Sequence, residues 1–365
     1  MQLFFEFLLC ALGEKERMNK VPSASEWTIL FQMCKEQAVL GVAFIALDKL
    51  SKHGQKPPQK ILFEWIGLTE RIKQQNRIVN RNAALLCQRL KADGFECCIL
   101  KGQGNTLMYP DPYCRIPGDI DVWIVPMGHA APDWQDGRKN VIRYVKQQNH
   151  KGNACYHHID YGMFHGTEVE VHYRPSFMFN PVHNRRLQRW FLSHRQEQFR
   201  NMVQLPDGVG TVNIPTPAFN AVFQLSHIYN HFLHEGIGLR QVIDYYYLLN
   251  TTDAKDSITD NTLRHLGLEK MAGAMMWVLN KVLGLPDQYL IAAKDEKRGR
   301  TLLKEITKGG TFGKYDIENQ KANNRAKKNI QRVKRDLRML RLFPSECLWE
   351  PIFRTYHLMW RIIYN

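Results

Sequence analysis

The sequence contains no Cys-x-x-Cys pair, no HExxH and no GxxxxGK[S/T]. It also lacks the roughly eighteen uninterrupted apolar residues that a membrane-spanning helix needs. These absences exclude a zinc ribbon, a zincin-type protease, a P-loop nucleotide site and a helical membrane anchor. The opening MQLFFEFLLCALGEKER has an apolar run of only about ten residues with no basic residue before it, so it fails as a signal peptide and reads as a buried helix. Eight cysteines (Cys10, Cys34, Cys87, Cys97, Cys98, Cys114, Cys155, Cys347) show no regular spacing, and a chain of 365 residues does not need disulfide staples. A reducing, cytoplasmic setting is expected. Acidic residues are also scarce, 35 against 50 Lys and Arg, leaving a formal charge of +15 that favours an anionic partner such as a nucleotide, nucleic acid or acidic glycan.

What is present is enough to build a core, with 44% hydrophobic and 11% aromatic residues. From Ser23 to Leu50, Trp27, Leu30, Phe31, Cys34, Ala38, Val42 and Ile45 recur with helical period, giving one long helix or two short ones. Gly54, Pro57 and Pro58 interrupt the pattern, which resumes from Ile61 to Ala92. At Phe95 it changes to a short apolar run, FECCILKG, bounded by Gly94 and Gly102, which reads as a buried strand, followed by a helical turn from Asn105 to Tyr109. Residues 119–125 alternate acidic and apolar side chains and form a second strand. A helix is expected over Asn140 to Gln148, then two strands within 154–172 joined at His165-Gly166.

Beyond Arg174 helices are expected over Arg185 to Gln198, Ala218 to Leu233, Leu239 to Leu249 and Thr262 to Leu285, with a small hairpin or loop at LPDGVGTVNIPTP. The expected fold class is therefore α+β, a small mixed sheet between two helical blocks. The expected division is a helical region 1–94, an α/β core 95–180 and a helical region 181–365.

In a strand, residues two apart face the same way, so Asp119 and Asp121 share one face while Ile120 and Val122 face the core. Two adjacent carboxylates repel unless a divalent cation lies between them, and hard oxygen ligands suit Mg²⁺ or Mn²⁺. Glu168, Glu170 and His172 repeat the pattern on a later strand. On spacing alone an alternating acidic strand is also what a solvent-facing sheet edge looks like. Upstream, Lys101-Gly102-Gln103-Gly104 precedes a helical turn, a place where backbone N–H groups and a lysine suit phosphate, although Leu107 takes the last glycine position of a GxGxxG. Turn and strand together lay out a nucleotidyl-transfer site.

LKG at 100–102, YPDPYCR at 109–115, GDIDVWI at 118–124, VEVHYR at 169–174 and GIGLRQVID at 236–244 resemble, in combination and order, the uncharacterised nucleotidyltransferase family of the DNA polymerase beta-like superfamily. The resemblance covers roughly residues 25–250. It implies a small α/β nucleotidyltransferase core in which Asp119, Asp121 and Glu170 hold two metal ions, with Glu168 competing for the third position. It further implies an NTP donor whose nucleoside monophosphate passes to an acceptor. Where the superfamily has Gly-Ser, this chain has Lys101-Gly102, so Gln103 or Asn105 would have to supply the missing phosphate contact. Lys101 and Arg115 are the candidates for neutralising the triphosphate, and an ion pair with Asp111 or Asp119 is the alternative for Arg115. The acceptor is left open among a small molecule, a sugar, RNA and a protein. A non-catalytic module binding nucleotide, RNA or a partner is the competing reading.

His227, His231 and His234 fall on one face of a helix, where packing or lining the cleft, together with Arg240 and Asp244, is favoured over zinc binding. His157 and His158 point oppositely if both lie in a strand, and His172 shares the Glu170 face, where it either orients that carboxylate or is simply half-buried. The basic stretch from Arg325 to Arg341 carries Ile330, Val333, Leu337 and Leu340 at helical spacing, which predicts a helix docked by that apolar stripe, with an RNA or anionic-lipid surface as the alternative.

Overall fold

A computed structural model describes residues 1–128, 134–234, 236–252, 254–310 and 325–365. Helix α1 (Gln2–Leu12) buries Phe4, Phe7 and Leu8. Helix α2 (Ala24–Glu36) begins at a capping box in which the Ser23 hydroxyl accepts from Glu26 N and the Glu26 carboxylate accepts from Ser23 N. Ala38, at φ 54°, separates α2 from α3 (Leu40–Lys52), so the region 23–50 forms two helices. The long α4 (Gln59–Ala92) is tied to α3 where Trp65 Nε1 donates to Leu40 O.

Strand β1 (Phe95–Ile99) leads through the short α5 (Gln103–Thr106) to β2 (Ile120–Pro126). Helix α6 (Trp134–Gln148) follows, longer at its start than the expected Asn140, and then β3 (His158–Phe164) and β4 (Thr167–His172). The sheet order is β1-β2-β4-β3, with β2 and β4 parallel and both outer pairs antiparallel. Ile120, Val122, Val169 and Val171 turn to one face and pack with Val79 and Leu86 of α4 and Val141 and Val145 of α6. Alternation sends Asp121 and Trp123 to the other face. There Trp123 packs against Phe199 and Phe219 of the helical half that follows.

That half contains α7 (Pro181–Ser193), α8 (Arg195–Gln198), the hairpin β5 (Met202–Gln204) and β6 (Thr211–Asn213), α9 (Pro217–His234) and α10 (Leu239–Thr251). It continues with α11 (Asp260–His265), α12 (Glu269–Lys281) and α13 (Glu296–Gly309). The single helix expected over Thr262 to Leu285 is split because Gly267 adopts φ 76°, and a Cβ there would lie 2.3 Å from His183 Nδ1. One apolar core joins the N-terminal helices, through Phe7, Trp27 and Trp65, to α9, α10 and α12, through Phe223, Tyr245 and Met275.

The chain closes with a basic helix (Arg325–Met339) and a C-terminal helix (Pro344–Tyr364). The basic helix does not dock by the stripe expected of it. Ile330, Val333 and Leu337 are exposed, while Arg335 and Asp336 are buried against the C-terminal helix, where Arg354 reaches both Asp336 and Glu350. Of that stripe Leu340 packs against the core, beside the buried Met339, and the polar pairs hold the rest of the helix. Residues 325–329, at its start, lie outside those whose side chains are described. Among the described residues, no helix is long and apolar enough to cross a membrane, and the eight cysteines are unpaired.

Candidate active site

Register in the parallel pair β2–β4 sets Asp121 directly opposite Glu170. Asp121 is 1% exposed, and its Oδ1 accepts from His172 Nε2 at 3.0 Å and from Lys101 Nζ at 3.1 Å. Its Oδ2 is buried with no hydrogen-bond partner among the described residues. A buried carboxylate oxygen without a donor costs free energy, which a cation at that point removes. Glu170 Oε2 lies 3.6 Å from both His172 Nε2 and His158 Nδ1. Ligand atoms of Asp121, Glu170 and His172 all fall within 4.8 Å of one another, as do those of His158, Asp160 and Glu170. Two carboxylates with one open oxygen fit a divalent cation, by donor type as well as by the orphaned Oδ2, with His172 holding them in place.

The electrostatics follow from this crowding. Burial pushes the Glu170 carboxyl up, but the bond to His172 and the charges of His158, His172 and Lys101 more than reverse it and hold it at about 2. Burial disfavours a charged His158, yet its bonds to Asp160 and Cys155 and the charge of Glu170 raise it to about 10. His172 and Lys101 are likewise raised against burial, by Asp121 and Glu170 for the imidazole and by Asp121, Asp119 and Glu170 for the amine. His157 and His227 are pushed well below their ordinary value, by burial first and by the neighbouring cations second, so both are neutral rings. His227 Nε2 accordingly lies 3.0 Å from Lys101 Nζ, holding the ammonium between α9 and Asp121.

The other residues singled out in the sequence are distributed unevenly. Asp119 precedes the first residue of β2 and is half-buried, within the fields of Lys101, Arg115 and Arg240. Glu168 is exposed and pairs in register with Met163, away from Asp121. Gly102, at φ 61°, takes a backbone conformation that suits glycine beside the Asp119 carbonyl. Gln103 does not offer its amide to the site: it is buried beneath α4 and donates to Asn80 Oδ1. Asn105 is buried too, its Oδ1 accepting from Asn220 and Gln224 of α9. Arg115 forms a two-bond pair with Asp244, Nε to Oδ1 at 2.7 Å and Nη2 to Oδ2 at 2.8 Å, so its partner is neither Asp111 nor Asp119 and its guanidinium is not turned to the carboxylates. Asp244 thereby pairs across to Arg115, while Arg240, expected as its helix neighbour, donates to Ile116 O.

His231 lies 3.0 Å from His227, and His234 stacks on Phe179 near Glu350. Among the described residues these three histidines join no group of three metal ligands. Asp160 was missed in the sequence, and His158 was weighed there without being assigned to the site. Both bear on Glu170 because β3 pairs antiparallel to β4, with Asp160 opposite Glu170 and His158 opposite His172. His157 lies just before the strand, so strand alternation does not separate it from His158, and the two rings touch, Nε2 to Nδ1 at 3.0 Å. The available signal was parity, since His158 and Asp160 are two apart as Glu170 and His172 are.

A comparison with curated protein sequences returns no match. Among solved structures the chain is similar to an antigenic nucleotidyltransferase-like protein from Paracoccidioides brasiliensis, with 14% identity and a TM-score of 0.36 over 63% of this chain and 97% of that one. The family model described as uncharacterised nucleotidyltransferase matches residues 23–284, from the cap of α2 to the end of the α12 region, and takes in Lys101, Asp119, Asp121 and Glu170. With well over half of its 365 residues matched, the chain belongs to the uncharacterised nucleotidyltransferase family.

Proposed function

We propose that the chain is a metal-dependent nucleotidyltransferase that moves a nucleoside monophosphate from an NTP to an acceptor hydroxyl or amine. The observation that carries this reading is the in-register pair of Asp121 and Glu170 with Asp121 Oδ2 left open. Asp121 and Glu170, with Asp119 at the mouth of the strand, would hold Mg²⁺ or Mn²⁺. Such ions, when bound, neutralise the triphosphate and act as Lewis acids on the attacking and leaving oxygens. His172 fixes both carboxylates by donating toward each. Lys101, steadied by His227, is the point charge that meets a phosphate oxygen. In the transfer, the acceptor atom forms its bond to the α-phosphorus as the bond to the pyrophosphate oxygen breaks. The acceptor proton passes to Glu170 or to water, and pyrophosphate leaves.

A second reading is a module that keeps the fold without turnover. It is favoured by one contact, the Lys101 ammonium 3.1 Å from Asp121 Oδ1, which already neutralises the carboxylate. The two readings separate on pyrophosphate release from each NTP with Mg²⁺ or Mn²⁺. Wild type should release it, and Asp121→Asn should lower the rate by about 10³-fold, corresponding to the several kcal/mol that a metal clamp supplies to the transition state. Absence of release from wild type with every NTP and both metals, combined with nucleotide binding that Asp121→Asn leaves intact, would establish the second.

A further inference from the structure

Two helices, α7 and the C-terminal helix, frame a groove of about 560 Å³. On α7, Arg185, Gln188 and Arg189 recur at helical spacing, and on the C-terminal helix Trp349, Phe353 and Tyr356 do the same, so each helix gives one face to the groove. Arg174 and Tyr156 form the end nearest the site, with the guanidinium 4.4 Å from the centre of the tyrosine ring. Arg174 follows His172 by two residues, and His172 Nδ1 lies 3.3 Å from Arg174 O. Tyr156 likewise adjoins His157, whose ring is 5.4 Å from that of His172. Arg174 and Tyr156 thus link the groove to the histidine side of the acidic cluster.

Among the described residues its lining holds three arginines and no acidic residue. Arg185 and Arg189 are exposed and, among the described residues, make no ion pair. Gln188 is 7% exposed, donates through Nε2 to Ser176 O, and keeps Oε1 without a hydrogen-bond partner. Tyr356 and Trp349 remain partly in water at the rim, apolar surface that an occupant would cover. Aromatic walls, the guanidinium groups of Arg185 and Arg189 and a buried acceptor oxygen together select a flat apolar body, an anionic group and a donor.

We propose that this groove is the acceptor subsite and that it takes a small molecule with an aromatic or similarly flat body and a carboxylate, sulfonate or phosphate group. Its hydroxyl or amine then faces the Asp121–Glu170 pair. This rests on the nucleotidyl-transfer reading for the identity of the occupant as acceptor, while the binding site itself stands on the groove.

The test uses the full chain and 8-anilinonaphthalene-1-sulfonate, an aromatic anion, as a fluorescent probe. Wild type is expected to bind it saturably. Replacing both exposed groove arginines, Arg185→Ala with Arg189→Ala, should weaken it about tenfold, while the neutral N-phenyl-1-naphthylamine should change less than about twofold. Asp121→Asn should leave the anionic probe unaffected, and Mg²⁺-ATP should not displace it. Equal affinity in the double arginine variant would overturn the proposal, and displacement by Mg²⁺-ATP would overturn it by making the groove the donor's site. Because this readout needs no turnover, absence of pyrophosphate release would defeat the nucleotidyl reading without moving the probe result.

Discussion

Asp121 owes its role to neighbours as much as to its own chemistry. Its Oδ1 takes His172 and Lys101, and its Oδ2 is left for something else. The Asp-x-Asp spacing was legible in the sequence, because strand period is a local property. The later acid, Glu170, was named through the family resemblance with Glu168 competing; spacing alone did not separate the two, because parallel register is set by how β2 and β4 pack on α4 and α6. Arg115 shows the same limit from the other side. A basic residue just upstream of Asp119 reads as a phosphate ligand, but a guanidinium this buried needs a fixed counter-charge, and Asp244 supplies it from α10. Asp244 also accepts from the Tyr109 hydroxyl. Asp244→Ala should therefore cost about 3–5 kcal/mol by leaving a buried charge unpaired. Urea unfolding would read this directly, and the paired change Arg115→Met with Asp244→Leu should recover much of the loss. A cost below about 1 kcal/mol for Asp244→Ala, the level of an exposed pair, would show that this ion pair does not hold the loop before β2 to α10.

At the scale of elements, helices were readable where apolar period and caps agree, as at Ser23 with Glu26. They were misread where one backbone position decides, as at Gly267, or where polar contacts hold a helix whose apolar stripe is mostly exposed. The basic helix is the clearest instance of the second. Its Asp336 is buried against Glu350, and burial together with that second carboxyl raises Asp336 to about 7 against an ordinary 3.8, with Arg354 opposing. The folded state thus holds a proton that the unfolded chain releases near 3.8, so this group's contribution to stability is full below pH 3.8 and is lost as pH rises through about 7. Asp336→Asn should flatten the fall in Tm between pH 4 and pH 8 and leave the variant the more stable of the two at pH 8. Thermal melts of both proteins across that range would check it, and parallel pH profiles would refute it.

Across the whole molecule, the N-terminal helices and the later helical half share one core, while the sheet and α4 with α6 build a second. The consequence is that Lys101, on the loop after β1, meets His227 of α9, more than a hundred residues later, and the two together close on Asp121. The α+β class and the strand order of residues were apparent from the alternation of apolar patterns. Packing or lining of the cleft was expected for the histidine face of α9, but the meeting of His227 with Lys101 was not, because nothing local to residues 217–234 encodes which side chain lies against the sheet. The net charge of +15 favours anionic partners in general, a long-range attraction that salt would screen.

The central claim is that Asp121 and Glu170 together hold a divalent cation. Mn²⁺ uptake followed by electron paramagnetic resonance tests it without knowledge of the acceptor, since the free-ion signal falls as the ion is bound. Wild type without nucleotide should take up Mn²⁺ at least about tenfold more tightly than Asp121→Asn or Glu170→Gln, each of which removes one charged oxygen ligand. Equal uptake by all three proteins would contradict the assignment of these carboxylates as metal ligands.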